Sequence, residues 1–388
     1  METRIRDHSL AERWAAGQGP WGRVSRPVLH RVGDRVSTLD LSGRTISCFQ
    51  HVGADTPLVL VPLVRAGAQV SIAAVNPDST DDAAAAELAR HGVAVWAWSG
   101  MTAAERDEGL ARVAAEPADA VSDMGGELIL ATSRRGDALP RAALEATTTG
   151  IHLLTGVDLP FPVFDWNGIP LKDRIHNRHH VGIAAWPAIS DITGLAPYGR
   201  TVLVVGFGPV GRGVAIHART LGAIVSVSEV DPVKCLEALQ HGLRVVPLDE
   251  GLRTCSIIVT ATGREGVIGP DQLRGTRSGA ILANVGHGNR EIAVDWLERH
   301  PRQAVRRHID RYTVGDGDLY LLNRGSLVNL AAGAGLAVDE LFDPFAAIIL
   351  LGLAWILEGG ADGSQPGLQP YPASLEREVA ELSLAART

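Results

Sequence analysis

A chain of 388 residues is long enough for two domains with separate cores, and 46% hydrophobic with 21% charged residues is the balance of a soluble globular protein. The net charge of −8 argues against a nucleic-acid or anionic-membrane surface. Three scattered cysteines (Cys48, Cys235, Cys255) have no C-x-x-C spacing, and the polar start METRIRDHSL has no signal-peptide core, so the expectation is a reducing, cytoplasmic setting without disulfides.

Residues 1–40 read as helical and then polar, with Trp14 and Trp21 as packing anchors. Residues 44–51 predict a short strand ending on His51, followed by Gly53-Ala54-Asp55-Thr56-Pro57. A helix over 58–66, a strand over 69–74, a loop 76–82 capping a helix over 83–91, a strand over 93–98 and a helix over 103–115 continue the alternation. Residues 118–122 then run into Asp123-Met124-Gly125-Gly126, another strand ending at a glycine turn. Strand alternating with helix implies a parallel, doubly wound sheet, whose ligands sit beyond the carboxyl ends of its strands. His51, the 76–82 loop and Asp123 fall at such ends, which puts a substrate site in the first half of the chain.

Next come Glu145-Ala146-Thr147-Thr148-Thr149-Gly150 and a polar stretch with Asn167, Lys172, His176 and Asn177. A helix over 182–191 leads to TVLVVGFGPVGRG, residues 201–213. A buried-strand run enters Gly206-Phe207-Gly208-Pro209-Val210-Gly211, and helix-compatible sequence follows, as the G-x-G-x-x-G dinucleotide fingerprint requires. Gly206 permits the tight turn, Gly208 lets a pyrophosphate approach, and Gly211 allows close helix–strand packing at a helix N-terminus that attracts phosphate. A second strand, 224–228, ends at Glu229, an acid that accepts from both ribose hydroxyls and repels a 2′-phosphate, so NAD is favoured over NADP. Further strands over 256–260 and 280–285 end in Ala261-Thr262-Gly263 and Gly286-His287-Gly288. Small residues at 331–335 suit a crossover back to the first domain. Asp343 and Pro344 read as N-cap and N1 of a buried helix over 345–357, shorter than the ~20 residues a bilayer needs. Residues 358–372 read as a Gly/Pro-rich surface loop. His179-His180 have no carboxylate or cysteine spacing to make a metal site.

Several of these segments, in this order, resemble the S-adenosyl-homocysteine hydrolase family. They are His51, Asn76 with Ser79-Thr80 and Asp82, Gly125-Gly126, Thr147–Gly150, Lys172 to Asn177, the glycine stretch 206–213, Glu229-Val230-Asp231-Pro232, Asn284-Val285-Gly286-His287, Asp310-Arg311-Tyr312 and Leu327-Val328-Asn329-Leu330. The resemblance implies an α/β chain with two doubly wound parallel-sheet domains: a substrate domain over 1–181, a Rossmann NAD domain over 182–338, and C-terminal helices over 339–388 that return to the first. It implies a permanently held NAD that oxidises the 3′-hydroxyl of an adenosine moiety, after which C4′ is deprotonated, the 5′ substituent leaves, water adds and the ketone is reduced again. Lys172 matches the lysine that helps deprotonate the 3′-hydroxyl, His51 the histidine near the 5′ position, and His287 the histidine facing the sugar from the Gly-His turn. Asn167 and Asn177 match polar groups lining the sugar and nicotinamide; Thr147, Thr148, Thr149, Thr262, Val285, Gly286 and Asn329 match the NAD site. A homotetramer is the implied assembly.

The departures are specific. Met124 stands where the family has a sugar-binding acid, Ala146 where it has a second, and His176 where it has an aspartate; Val181 replaces a cysteine. In the implied base pocket, Gly53 replaces a threonine, Asp55 a glutamate, and Leu336 a histidine. The family's C-terminal arm, with its Lys and Tyr, has no counterpart. Carboxylates that hold ribose hydroxyls cannot become Met and Ala without changing what is held, while Lys172, His51 and His287 are kept. These differences predict the same oxidise–eliminate–reduce cycle on a different adenine nucleoside, ending in dehydration to a 4′,5′-unsaturated product of the angustmycin type. An ordinary adenosylhomocysteinase and a non-catalytic NAD-binding homologue are the alternatives.

Overall fold

Two units account for the chain, Met1–Lys172 together with Asp339–Thr388, and Asp173–Val338; residues 173–181, expected with the first domain, fall in the second unit. The computed structural model describes residues 1–136, 138–286, 289–331 and 339–388.

In the first unit, β1 (Thr45–Gln50), β2 (Gln69–Ala74), β3 (Ala94–Trp96), β4 (Ala120–Asp123), β5 (Ala142–Glu145), β6 (Pro162–Asp165) and a C-terminal strand Gly367–Pro370 form one sheet. Its order is Gly367–Pro370, β6, β5, β4, β1, β2, β3, and every pairing is parallel. Helices cover both faces, so Ile46, Cys48, Phe49, Ile72, Val121 and Leu144 are all buried and the strands read as continuous apolar runs. Strand order reverses between β1 and β4, which opens a crevice above the carboxyl ends of those two strands.

Four expectations about this unit need correcting. Residues 1–40 do not simply pass from helix to polar chain: Pro27–Val36 is a second, amphipathic helix that buries Val28, Leu29, Val32 and Val36. Trp14 does anchor its helix, donating from Nε1 to the Ala54 carbonyl at 2.9 Å, whereas Trp21 is 68% exposed. The long apolar helix starts at Asp339 and runs to Leu357 with Pro344 inside it. Asp343 does not cap that helix; it accepts from the first-turn amides of Val28 (3.0 Å) and Leu29 (2.7 Å), donors that are buried and need a partner. Burial raises the Asp343 carboxyl to about 6. The window Glu340–Leu357 is long and apolar enough to cross a membrane, but 72% of it is buried inside the unit, as a core helix should be. Residues 358–372 are not all loop either: Gly367–Pro370 pairs with β6, and Tyr371 donates to the Ile348 carbonyl at 2.9 Å. Proline is tolerated there because the strand lies at the sheet edge.

The second unit carries β7 (Thr201–Val205), β8 (Ile224–Ser228), β9 (Arg244–Val245), β10 (Ile257–Thr260), β11 (Ala280–Asn284), β12 (Arg302–Arg306), β13 (Ile309–Val314) and β14 (Gly317–Leu322). The sheet order is β12, β13, β14, β11, β10, β7, β8, β9; the β12–β13 and β13–β14 pairings are antiparallel and the rest are parallel. From β9 to β14 this is the doubly wound Rossmann order, with its switch point between β7 and β10. The helix Val181–Thr193 lies against Pro209–Thr220 so closely that a Cβ on Gly182 would come within 2.5 Å of the Gly213 backbone. Trp186, 1% exposed, seals the contact and donates to the Val214 carbonyl at 2.9 Å.

Candidate active site

At the second unit's switch point, the turn after β7 has the geometry its glycines dictate. Gly206 has φ +94°, and a Cβ there would come within 2.9 Å of Thr262. A Cβ on Gly211 would overlap the Gly206 carbonyl, whereas one on Gly208 would meet nothing within 4 Å. Gly208 therefore fronts open space at the N-terminus of Pro209–Thr220, where Pro209 takes N1 and no side chain caps the helix. Glu229, just past β8, accepts from Phe207 N (2.7 Å), Val230 N (2.7 Å) and Asp231 N (3.0 Å). Burial alone raises its pKa, but the backbone amides outweigh it and hold the carboxyl below its ordinary value. The carboxylate is held in its ionised form just past the end of β8.

After β10, Thr262 donates through N (2.9 Å) and Oγ1 (2.7 Å), and Gly263 through N (2.8 Å), to the buried carboxylate of Glu291. After β11, Val285 is buried and Gly286 donates to Asn284 Oδ1 at 2.8 Å. Asn284 also ties the loop after β14, donating to the Gly325 carbonyl at 2.9 Å. Beyond that loop Asn329 is half-buried, and its Oδ1 has no hydrogen-bond partner among the described residues. His287 and Leu336 lie outside the described residues. His176 is buried within the helical segment Leu171–His180, its ring 6.0 Å from that of His180, and Asn177 beside it is half-buried.

In the first unit, His51 stands just beyond β1. Its Nδ1 is 2.6 Å from Ser79 Oγ, which donates to the Asn76 carbonyl at 2.9 Å. With its one proton spent, Ser79 accepts from Nδ1–H, which fixes the tautomer and the orientation of the ring. Gly53 is half-buried, and a Cβ on it would meet nothing within 4 Å; Asp55 is paired with the buried Arg26. Asp123 turns inward: it is 1% exposed, accepts from Ile129 N at 2.9 Å and leaves Oδ1 without a partner among the described residues. Burial raises it to about 7, helped by the nearby charge of Glu127. Directly across in register lies Glu145. This fully buried carboxylate accepts from Gly126 N (3.0 Å), Gly125 N (3.2 Å), Thr147 N (2.7 Å) and Thr147 Oγ1 (2.7 Å). Burial pushes it up as well, and the charge of Asp123 adds to the effect. Met124 and Ala146, the residues that follow the two acids, are both buried and apolar.

Thr147 also caps the helix Thr148–Leu154, accepting from Gly150 N at 2.9 Å, while Thr148 shares a hydrogen bond with Asn167 at 3.2 Å and Thr149 is half-buried. Lys172 is half-buried with its ammonium 4.5 Å from the centre of the Phe345 ring, and burial pulls it down to about 7. No group of three or more His, Cys, Asp or Glu that could hold a metal occurs among the described residues.

Two family models match the chain: S-adenosyl-L-homocysteine hydrolase over residues 27–149, and the NAD-binding domain of S-adenosyl-L-homocysteine hydrolase over 187–335. An S-inosyl-L-homocysteine hydrolase of Methanopyrus kandleri is 36% identical over 99% of this chain and 92% of its own length. An adenosylhomocysteinase of Thermotoga maritima is 34% identical over 94% of this chain and 92% of its own length. The chain belongs to the S-adenosyl-L-homocysteine hydrolase family. It is an NAD-dependent enzyme of that family, and its own residues fit the cofactor. The open face at Gly208 admits a pyrophosphate, ionised Glu229 suits a free ribose diol, and the orphaned oxygen of Asn329 offers an acceptor to an amide.

Two buried carboxylates were given no role by the sequence. Glu145 and Glu291 each gather the backbone amides of a strand-end turn in their own unit. An acid closing a strand beside glycine turns was the available signal, but only the fold shows which amides converge on it. The Phe345 ring under Lys172 left no signal at all, because the two are far apart in the chain.

Proposed function

We propose that this enzyme runs the oxidise–eliminate–reduce cycle on an adenine nucleoside and that its net reaction is dehydration to a 4′,5′-unsaturated nucleoside. NAD, when bound, supplies the acceptor for the 3′ hydride and the means of returning it. Lys172, with His176 later in the same helical segment, takes the proton of the 3′-hydroxyl; pulled down to about 7, the amine is available as a base near neutral pH. Oxidation at C3′ acidifies the C4′ proton. That proton leaves to a base, the C4′–C5′ double bond forms and the C5′–oxygen bond breaks. Hydroxide is a poor leaving group, so His51 enters as the imidazolium, gives its second proton to the departing oxygen and returns to the neutral form with Nδ1–H on Ser79. The departing group is water, and no nucleophile re-adds.

The observation that carries the reading is the buried, apolar pair Met124 and Ala146 where the family resemblance puts sugar-binding carboxylates. Each lost charged hydrogen bond costs about 1.5–3 kcal/mol if the substrate is unchanged. The smaller, apolar surroundings at Met124 and Ala146 suit a sugar with an extra carbon substituent, such as the hydroxymethyl of psicofuranosyl adenine. On this reading Asp55, Asn167 and Leu336 line the nucleoside, while Asn177, Thr148, Thr149, Asn329 and His287 serve the NAD side. Asp123 and Thr147 act through the turns they hold. A cytoplasmic homotetramer is the assembly that fits the family.

Incubating the purified enzyme with psicofuranosyl adenine should give a product lighter by one water in the mass spectrum; unchanged nucleoside after prolonged incubation refutes the proposal. Hydrolysis of a nucleosyl-homocysteine is a second reading, favoured by relatives named for the S-inosyl and adenosyl substrates. Release of homocysteine from either thioether at the rate of an efficient enzyme establishes it. Absence of any NADH signal with a panel of nucleosides leaves a non-catalytic NAD-binding homologue.

A further inference from the structure

Lys172 and Lys234 are the only lysines in the chain, every other cationic side chain of this type being arginine. Lys234 is a surface residue with 43% of its side chain exposed, near Asp231. Lys172 is held differently. Among the described residues its ammonium meets no carboxylate, and its contact is the face of Phe345 at 4.5 Å. Phe345 in turn packs on Trp166, with ring centres 4.7 Å apart and planes tilted by 55°. Trp166 is 1% exposed and follows β6 directly, so the aromatic pair is anchored in the first unit's core.

The carboxylates on the neighbouring elements are engaged elsewhere. Asp165, at the end of β6, accepts from Gly168 N at 3.1 Å. Glu376, on the helix Ala373–Ala385, accepts from Leu171 N at 2.7 Å, so it is tied to the backbone beside Lys172. Asp343, on the same helix as Phe345, accepts from Val28 and Leu29, and Asp173 pairs with Arg178 at 3.3 Å.

We propose that Phe345, backed by Trp166, is the positioning residue of Lys172: an aromatic face takes the place of a carboxylate partner and seats the amine without fixing it in its charged form. The inference rests on the reading of Lys172 as the group that takes the 3′-hydroxyl proton, and it adds what tunes that group. A carboxylate at this distance favours the ammonium strongly and keeps it protonated; a ring quadrupole attracts the cation far more weakly. Burial opposes the charge, and among the described residues no ion pair offsets that cost. The amine is thereby placed where it exchanges a proton near neutrality.

The two-lysine composition makes a direct test practical. Incorporating isotope-labelled lysine gives two side-chain signals, and Lys172→Met assigns them. With wild-type enzyme carrying NAD and no substrate, the Lys172 signal should titrate near pH 7. Phe345→Leu removes the quadrupole and keeps an apolar side chain, so the midpoint should fall by about 0.5–1 pH unit. Phe345→Glu supplies a carboxylate and should raise it by more than about one unit. Phe345→Trp, with the stronger ring, should leave it at or slightly above the wild-type value. A loss of packing alone cannot move the midpoint in opposite directions. Equal midpoints in the Leu, Glu and wild-type proteins overturn the proposal, as does a rise in the Leu variant. Because the titration is read without substrate, it stands or falls apart from the dehydration assay.

Discussion

Asp123→Asn is the substitution that most directly probes how the first unit stores charge beneath its strand-end turns. Asp123 and Glu145 face one another across β4 and β5, both buried, and titrate as a pair. Glu145 has the donors to hold a charge, whereas Asp123 accepts from Ile129 N and has an oxygen with no partner among the described residues. Both carboxyls are pushed up by burial, and the donors gathered at Glu145 favour Asp123 as the place of the shared proton. Its folded pKa of about 7 lies above the 3.8 of an unperturbed carboxyl, so the folded state binds the extra proton. That contribution to stability is fully present below pH ~4, is lost as pH rises from there, and is gone above about pH 7. Roughly three pKa units correspond to about 4 kcal/mol. Asparagine keeps an acceptor for Ile129 N, carries no charge and relieves Glu145.

The Asn variant should match the wild type in acid and gain about 4 kcal/mol over it by pH 8, nearly all of it between pH 4 and 7. Urea unfolding followed by tryptophan fluorescence at several pH values reads this gain as a midpoint shift of roughly 1–2 M. Lys172, whose pKa is lowered in the fold, acts in a different window: its effect makes the protein more stable as pH rises above about 7. The difference between variant and wild type cancels that term. A difference that stays constant from pH 4 to 8 refutes the assignment of the proton to Asp123.

Two further outcomes concern the cofactor. Glu229→Ala removes an ionised acceptor tied to three backbone amides, and it should weaken NAD binding by about 10–100-fold while narrowing the preference over NADP; calorimetric titration of the apoenzyme with both dinucleotides measures this. Gly211→Ala sets a methyl against the Gly206 carbonyl, so the turn must open, and the variant should purify with little or no NAD, as its absorbance ratio will show.

Much of the chain's organisation was legible before any coordinates. The strands Gln69–Ala74, Thr201–Val205 and Ile224–Ser228 and the helix Ala103–Ala115 lie where the residue pattern predicts them. Helix Ala103–Ala115 carries its own start signal: Thr102 and Glu105 form a complete capping box. The glycine fingerprint is legible for a similar reason. Positive φ at Gly206 and the absence of a Cβ at Gly211 are demands of the backbone itself, so they appear in the sequence wherever the turn does.

What the sequence by itself determined is thus the local grammar: alternating elements, the glycine turn that admits a dinucleotide, and a set of polar residues at strand ends. The tertiary structure alone decided the roles that depend on distant partners. Asp343 looked like a helix cap and became the acceptor for buried amides of Val28 and Leu29. The final Gly/Pro segment looked like loop and became an edge strand, because β6 offered it a free edge. Glu145 closes two turns at once, and Lys172 rests on an aromatic ring contributed from the far end of the chain. Burial, pairing and the resulting proton affinities belong to neighbours brought together by folding, and no window of sequence contains them.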